Sequence, residues 1–141
     1  MRKVDELFLR YGESHRNRTN EAIHWVCVPL ITWSVLAALW ALAPGVAYLG
    51  IGLSIAFYAW LSVQIAVGML ALFALMVYPL TLLGAYTLPV AAAVFVLAWI
   101  GQFIGHAIEG KKPSFFEDVK FLLVGPAWLL HFIYRRVGIP Y

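Results

Sequence analysis

Between Glu21 and Glu109 the chain carries no Asp, Glu, Lys or Arg. A water-soluble fold of this size has no place for such a run. Of the 141 residues, 63% are hydrophobic and 12% charged, whereas a soluble domain carries about 25% charged residues. A core this small could not bury the apolar surplus. The sequence therefore predicts an all-α integral membrane protein, a single domain over residues 1–141, whose apolar runs cross a bilayer as helices of about 20 residues.

Charge sets the sidedness. The basic residues form two blocks, Arg2, Lys3, Arg10, Arg16 and Arg18 before the apolar region and Lys111, Lys112, Lys120, Arg135 and Arg136 after it. Positive ends mark the cytosolic face and contact anionic headgroups, so both termini are expected in the cytosol, at a bacterial inner membrane or the endoplasmic reticulum. No large basic face is left over for nucleic acid. Cys27 is the only cysteine, which excludes a disulfide scaffold and a cysteine-based zinc site and leaves it the role of a small buried hydrophobe. The sequon Asn17-Arg18-Thr19 falls in the basic, cytosolic segment and is discounted, and the polar start of the chain has no signal-peptide pattern.

Along the chain, residues 2–13 have the pattern of an amphipathic helix, with Val4, Leu7, Phe8 and Tyr11 on one face. Such a helix suits either the membrane interface or a packed position on its own protein. Ser14 to Asn20 interrupts it with side chains that favour caps and turns. Thr19 or Asn20 is the expected N-cap of the next helix, with Glu21 in its positive first turn. The first span is expected from Ile23 to Ala43, kinked by Pro29 and closed by Pro44-Gly45. Residues 46–78 are too long an apolar run for one typical span. They divide into Val46–Leu61 and Ser62–Leu80, turning near Trp60 to Gln64, with Pro79 and Gly84 marking the next turn. Leu88 to Ile108 is the fourth span, and its Gly101-x-x-x-Gly105 gives a small-residue face on which another helix can approach closely.

Four transmembrane helices return the chain to its starting side, in agreement with the two basic ends. Beyond Lys111-Lys112-Pro113, the segment Phe115 to Tyr134 is interrupted by Gly125-Pro126. That break favours C-terminal interfacial or re-entrant helices over a fifth crossing, which would carry Arg135 and Arg136 to the far side.

The chemistry gathers where polar residues meet the spans. With both ends on one side, His15, His24 and His106 share one membrane face, and His131 joins them if the C-terminal segment dips and returns. On one unbroken helix His15 and His24 would point in opposite directions; the turn between them lets them converge. Neutral imidazole is the commonest metal ligand, and three or four imidazoles without cysteine suit a divalent first-row metal that spacing does not identify. Each histidine alone reads equally well as an interfacial residue with ordinary hydrogen bonds. Four of them at helix ends, where polar groups are costly, point to function. Gln102, His106 and Glu109 lie on one face of the fourth span, and Asn20 and His24 are one turn apart. Asn20, Gln102 and Glu109 are therefore the candidate catalytic residues, able to orient a ligating imidazole or hold a substrate's polar group. Glu109 also reads as an ion-pair partner of Lys111 or Lys112. Arg16, Arg18 and Lys111 suit a substrate carboxylate or a lipid headgroup.

Three sets of residues together are family-like: Tyr11-x-x-Ser14-His15-x-x-x-x-Asn20-x-x-x-His24-x-x-x-x-Pro29; Gln102-x-x-Gly105-His106-x-x-x-Glu109-x-x-x-Pro113; and Gly125-Pro126. Over nearly its whole length the chain resembles the Mpo1-like family. The resemblance implies a membrane-embedded iron(II)-dependent dioxygenase that takes a long-chain 2-hydroxy fatty acid and dioxygen and leaves a fatty acid one carbon shorter, an alpha-oxidation. It implies Fe2+ held by His15, His24 and His106, with His131 a weaker fourth. Membrane lipid is the expected surrounding, and the acyl chain would stay among the helices. Two other classes compete: a non-catalytic membrane scaffold or small transporter, for which the only mid-membrane polar residues are Ser54, Ser62 and Gln64, and bis-histidine haem ligation.

Overall fold

A computed structural model describes residues 2–13, 15–110 and 122–141. Helix accounts for 89% of the described residues and none of them lies in a strand. An apolar chain that must satisfy its own backbone hydrogen bonds has little other choice. The described helices are α1 (Lys3–Gly12), α2 (Arg18–Leu42), α3 (Pro44–Leu61), α4 (Val63–Leu83), α5 (Thr87–Glu109) and α6 (Val124–Val137), with a 3-10 turn at Gly84–Tyr86.

Three segments are long and apolar enough to cross a membrane: Arg18–Leu42, Pro44–Leu61 and the 47-residue Val63–Glu109, which contains α4, the 3-10 turn and α5. The expected four spans thus appear as three segments, the third holding two helices. Large apolar side chains on all of them, among them Leu42, Leu53, Leu75 and Leu97, are left exposed; this is the surface that lipid covers.

The breaks follow from local chemistry. Ala43 and Ser62 are extended, and each ends one helix and starts another. Pro44 sits at the first position of α3, where a missing N–H costs nothing. Ser62 caps α4 by accepting from the Ile65 N–H. Gly84, with φ +54°, closes α4 in a conformation that other residues avoid. Pro79 does not end α4: the helix runs four residues past it to Leu83. α2 likewise continues through Pro29. The N-cap of α2 is Asn17 rather than Thr19 or Asn20; its side chain accepts from the N–H groups of Thr19 and Asn20.

Directions are read from contacts. Asn20 and Cys27 of α2 face Gly105 and Gly101 of α5, in reverse order, so these helices are antiparallel and close. The Trp33 indole donates to the Met76 carbonyl, joining α2 to α4. Val28 of α2 lies against Gly125, the Tyr58 hydroxyl of α3 donates to the Leu123 carbonyl, and the Tyr134 hydroxyl donates to the Gln64 carbonyl of α4. The starts of α2 and α4 and the ends of α3 and α5 therefore gather at one end, where α6 packs.

α6 is about 21 Å long at 1.5 Å per residue, too short to cross a hydrocarbon core of about 30 Å. Residues 124–131 are all buried, so α6 is a packed helix and not one lying on the surface. Gly125-Pro126 falls in its first turn, where proline is tolerated, so a helix boundary lies at the break expected there. Residues 115–121, which include the rest of the expected C-terminal segment, lie outside the described residues. α1 buries Val4, Phe8 and Tyr11 against the same cluster; of the two readings open to it, packing on its own protein is the one observed.

Candidate functional site

Three elements deliver three histidines to one place. His15 follows α1, His24 lies in the second turn of α2, and His106 lies in the last turn of α5. All are buried, at 5%, 1% and 7% exposure. The His15 and His24 rings meet edge to face with centroids 4.1 Å apart, and His24 and His106 are 6.0 Å apart at 86°. Tyr11 stacks flat on His15 at 4.2 Å, and Trp128 of α6 closes the far side at 5.0 Å from Tyr11 and 5.5 Å from His15. The expected convergence of these three histidines is present.

Backbone carbonyls orient two of these rings. His15 Nδ1–H donates to the Tyr11 carbonyl at 2.6 Å, and His24 Nδ1–H donates to the Asn20 carbonyl at 2.9 Å. A carbonyl can only accept, so in the neutral rings Nδ1 carries the proton and Nε2 carries the lone pair. This is the tautomer a metal-ligating histidine adopts. The donor chemistry therefore suits a divalent metal. Among the described residues, however, no three His, Cys, Asp or Glu side chains are gathered as a ready metal site.

The α2–α5 contact sets these positions. A Cβ on Gly105 would overlap Asn20 Oδ1 and lie 3.4 Å from His24 Cε1, and one on Gly101 would lie 2.5 Å from Cys27 Sγ. The two glycines are the small-residue face expected from sequence, and Cys27 is the small buried side chain that fits it. Glu109 then ties the loop down. One carboxylate oxygen accepts from the Asn17 backbone N–H at 2.5 Å and from the Asn20 amide at 3.3 Å. Lys111 and Lys112, its expected alternative partners, lie outside the described residues. Asn20 is fully buried beneath this clasp. Gln102, one turn before His106, is buried at 7% exposure, and its Oε1 has no hydrogen-bond partner among the described residues.

His131 is carried by α6 and packs among other rings. Its ring stacks on Phe8 at 4.7 Å and contacts Trp128, Phe132 and Tyr141, and its Nδ1–H donates to the Trp128 carbonyl. Burial holds its protonation below the ordinary histidine range. An open cleft of about 680 Å³ borders His15, Arg16, Trp128, His131 and Arg135. His131 is thus a wall of that cleft, on the far side of Trp128.

The residues a transporter would need are otherwise engaged. Ser54 donates to the Gly50 carbonyl within its own helix, and Ser62 and Gln64 sit at the α3–α4 junction rather than at mid-membrane. Sequence reasoning missed Asn17 as cap and as Glu109's partner, although Asn is among the best N-caps and only Arg18 and Thr19 separate it from Asn20. It also gave no role to Tyr11 and Trp128, because a carbonyl acceptor or an aromatic wall leaves no pattern in sequence.

The family model described as 2-hydroxy-palmitic acid dioxygenase Mpo1-like matches residues 1–137, and the chain belongs to the Mpo1-like family. Neither a curated protein nor a solved structure gives a match.

Proposed function

From membership of the Mpo1-like family, we propose that this chain is an iron(II)-dependent dioxygenase of 2-hydroxy fatty acids, shortening them by one carbon. The observation that carries the reading is the meeting of His15, His24 and His106, buried at one end of the helices. In this reading α2, α3, α4 and α5 each cross the membrane, and the site lies at the cytosolic face with both termini. The basic residues at both ends support that orientation.

His24, His106 and His15 would hold the iron through Nε2, with no requirement for His131. Iron(II) bound there supplies the redox chemistry that dioxygen and a 2-hydroxy acid require. The remaining work falls to the chain itself. The Tyr11 and Asn20 carbonyls fix two imidazole tautomers. Glu109 and Asn17 hold the loop that carries His15 against the end of α5. Gln102 Oε1, buried and unmatched, accepts the hydrogen of the substrate's 2-hydroxyl. Arg16, on the cleft beside His15, draws the carboxylate. Tyr11 and Trp128 keep bulk water from the rings.

The test is metal analysis of protein purified without oxygen, followed by incubation with 2-hydroxypalmitate and mass spectrometry of the products. The expected result is iron in the wild type, its loss in His24→Ala and His106→Ala, and an acid one carbon shorter. Equal iron in all three proteins would overturn the assignment.

A further inference from the structure

A cavity of about 360 Å³ lies between α2, α3 and α4, lined by Thr32, Leu36, Ile51, Ser54, Phe73 and Leu123. Its size falls in the range of small-molecule sites. Its polar atoms are already engaged. The Thr32 hydroxyl donates to the Val28 carbonyl at 2.9 Å and the Ser54 hydroxyl to the Gly50 carbonyl at 2.8 Å. The Leu123 carbonyl accepts from Tyr58 at 2.6 Å. This partly open apolar pocket gives water few partners and suits apolar ligands.

Its placement relative to the histidines is specific. His24, Val28 and Thr32 follow at one-turn intervals on α2, and between the histidines and the chamber Val28 is covered by Gly125, the one residue of α6 there without a side chain. Thr32 is thus about 12 Å, and Leu39 about 22 Å, along the helix from His24 at 1.5 Å per residue. Nothing charged lies between.

We infer that this chamber holds the hydrocarbon tail of the substrate, a long unbranched acyl chain whose carboxyl end sits among the histidines. The inference rests on the dioxygenase reading for what is held at the head, and it adds where the chain goes and how its length is measured. Leu39 and Gly50 mark the far end of the chamber, where a Cβ on Gly50 would lie 3.2 Å from Leu39 Cδ1. Chain-length preference is set there.

The experiment is photolabelling of the full chain with 2-hydroxypalmitate carrying a diazirine at its methyl end, read by peptide mass spectrometry. Adducts are expected at Leu36, Leu39, Ile51 or Phe73. Adducts only at exposed, lipid-facing positions such as Leu42, Leu70 or Leu75 overturn the inference. Ser54→Phe, which fills the chamber, gives a second measurement. Binding of 2-hydroxypalmitate should weaken about fourfold for each methylene excluded, with binding of a short-chain 2-hydroxy acid unchanged; equal loss for both chains, or no loss, overturns it. A phospholipid retained in native mass spectrometry and not displaced by 2-hydroxypalmitate makes the chamber a lipid-tail site and also overturns it. Label in the chamber without any chain-shortened product keeps the chamber and removes the dioxygenase reading; product without label in the chamber does the reverse.

Discussion

Gly105→Ala is the most exacting perturbation of the site, because it adds one methyl group at the closest approach of two helices. That methyl would overlap Asn20 Oδ1 and press on His24 Cε1 at 3.4 Å. Asn20 is fully buried and its amide is held by Glu109, so it cannot simply swing aside. Overpacking at a tight contact costs about 1–3 kcal/mol. In a soluble helix, up to about 1 kcal/mol would return through the better helix propensity of alanine. In hydrocarbon α5 keeps its backbone bonds even when helices separate, so that compensation is largely lost. The net effect is a roughly 5- to 150-fold shift of the folding equilibrium, with His24 displaced from His106. Unfolding in detergent, followed by tryptophan fluorescence, measures the first effect, and iron content measures the second. Gly52→Ala is the control: it lies on exposed α3 surface, and nothing stands within 4 Å of its added methyl. If Gly105→Ala and Gly52→Ala unfold alike and hold equal iron, then α2 and α5 do not meet as described, and the histidine cluster built on that meeting falls with it.

Two further substitutions separate the clasp from the wall. Glu109→Ala removes the acceptor of the exposed Asn17 N–H, which water can replace, and of the Asn20 amide, a loss of about 0.5–1.5 kcal/mol per hydrogen bond. It should lower iron retention by loosening His15, while Glu109→Gln, which keeps a carbonyl oxygen, should retain most of it; equal retention in both would refute the clasp. His131 is held by burial below its ordinary value of 6.5, so the folded chain binds fewer protons there than the unfolded one. Its contribution to stability is present above about pH 6.5 and declines as pH falls through the lowered folded value. His131→Phe keeps a ring against Phe8 and should flatten that acid limb in thermal unfolding measured against pH, with iron content unchanged; loss of iron would make His131 a ligand after all.

Much of this molecule was legible because the bilayer leaves so few options. Length required a turn, because an apolar run from Val46 to Tyr78 does not fit one span, and the observed break at Ser62 falls inside the expected window Trp60 to Gln64. The face of α1 and the close contact at Gly101 and Gly105 followed from helical spacing. Pro79 misled because an X-Pro step reads as a boundary in water. It forfeits one N–H bond within a helix that has no better alternative in lipid, so α4 continues. Pro126 did not mislead: α6 begins at Val124, beside the expected break, and Pro126 occupies its first turn, where no bond is lost. The cap was misread because Asn17, Thr19 and Asn20 are all competent, and tertiary structure chose among them. Asn17 has its backbone N–H on Glu109, from the far end of the chain's apolar region, and no local pattern encodes that partner.

His131 shows why composition names candidate ligands but not what each one packs on. By type the four histidines are equivalent, and only the elements that carry them differ: His15 follows α1, His24 is near the start of α2, His106 is in the last turn of α5 and His131 is in the middle of α6. Three of them sit on segments that Gly101, Gly105 and Glu109 draw together: the loop after α1, the start of α2 and the end of α5. His131 rides on α6, whose position is fixed by different contacts, with Gly68 receiving Tyr134 and Leu130, and Gly125 receiving Tyr11 and Val28. Those contacts place Trp128 against Tyr11 and His15, and His131 one turn beyond it against Phe8. An imidazole joins a site through what its own helix packs on. Here α6 brings an indole to the cluster and carries its histidine past it. Replacing Gly68 or Gly125 with a larger residue would therefore move Trp128 and His131 together and loosen the indole that packs on Tyr11 and His15.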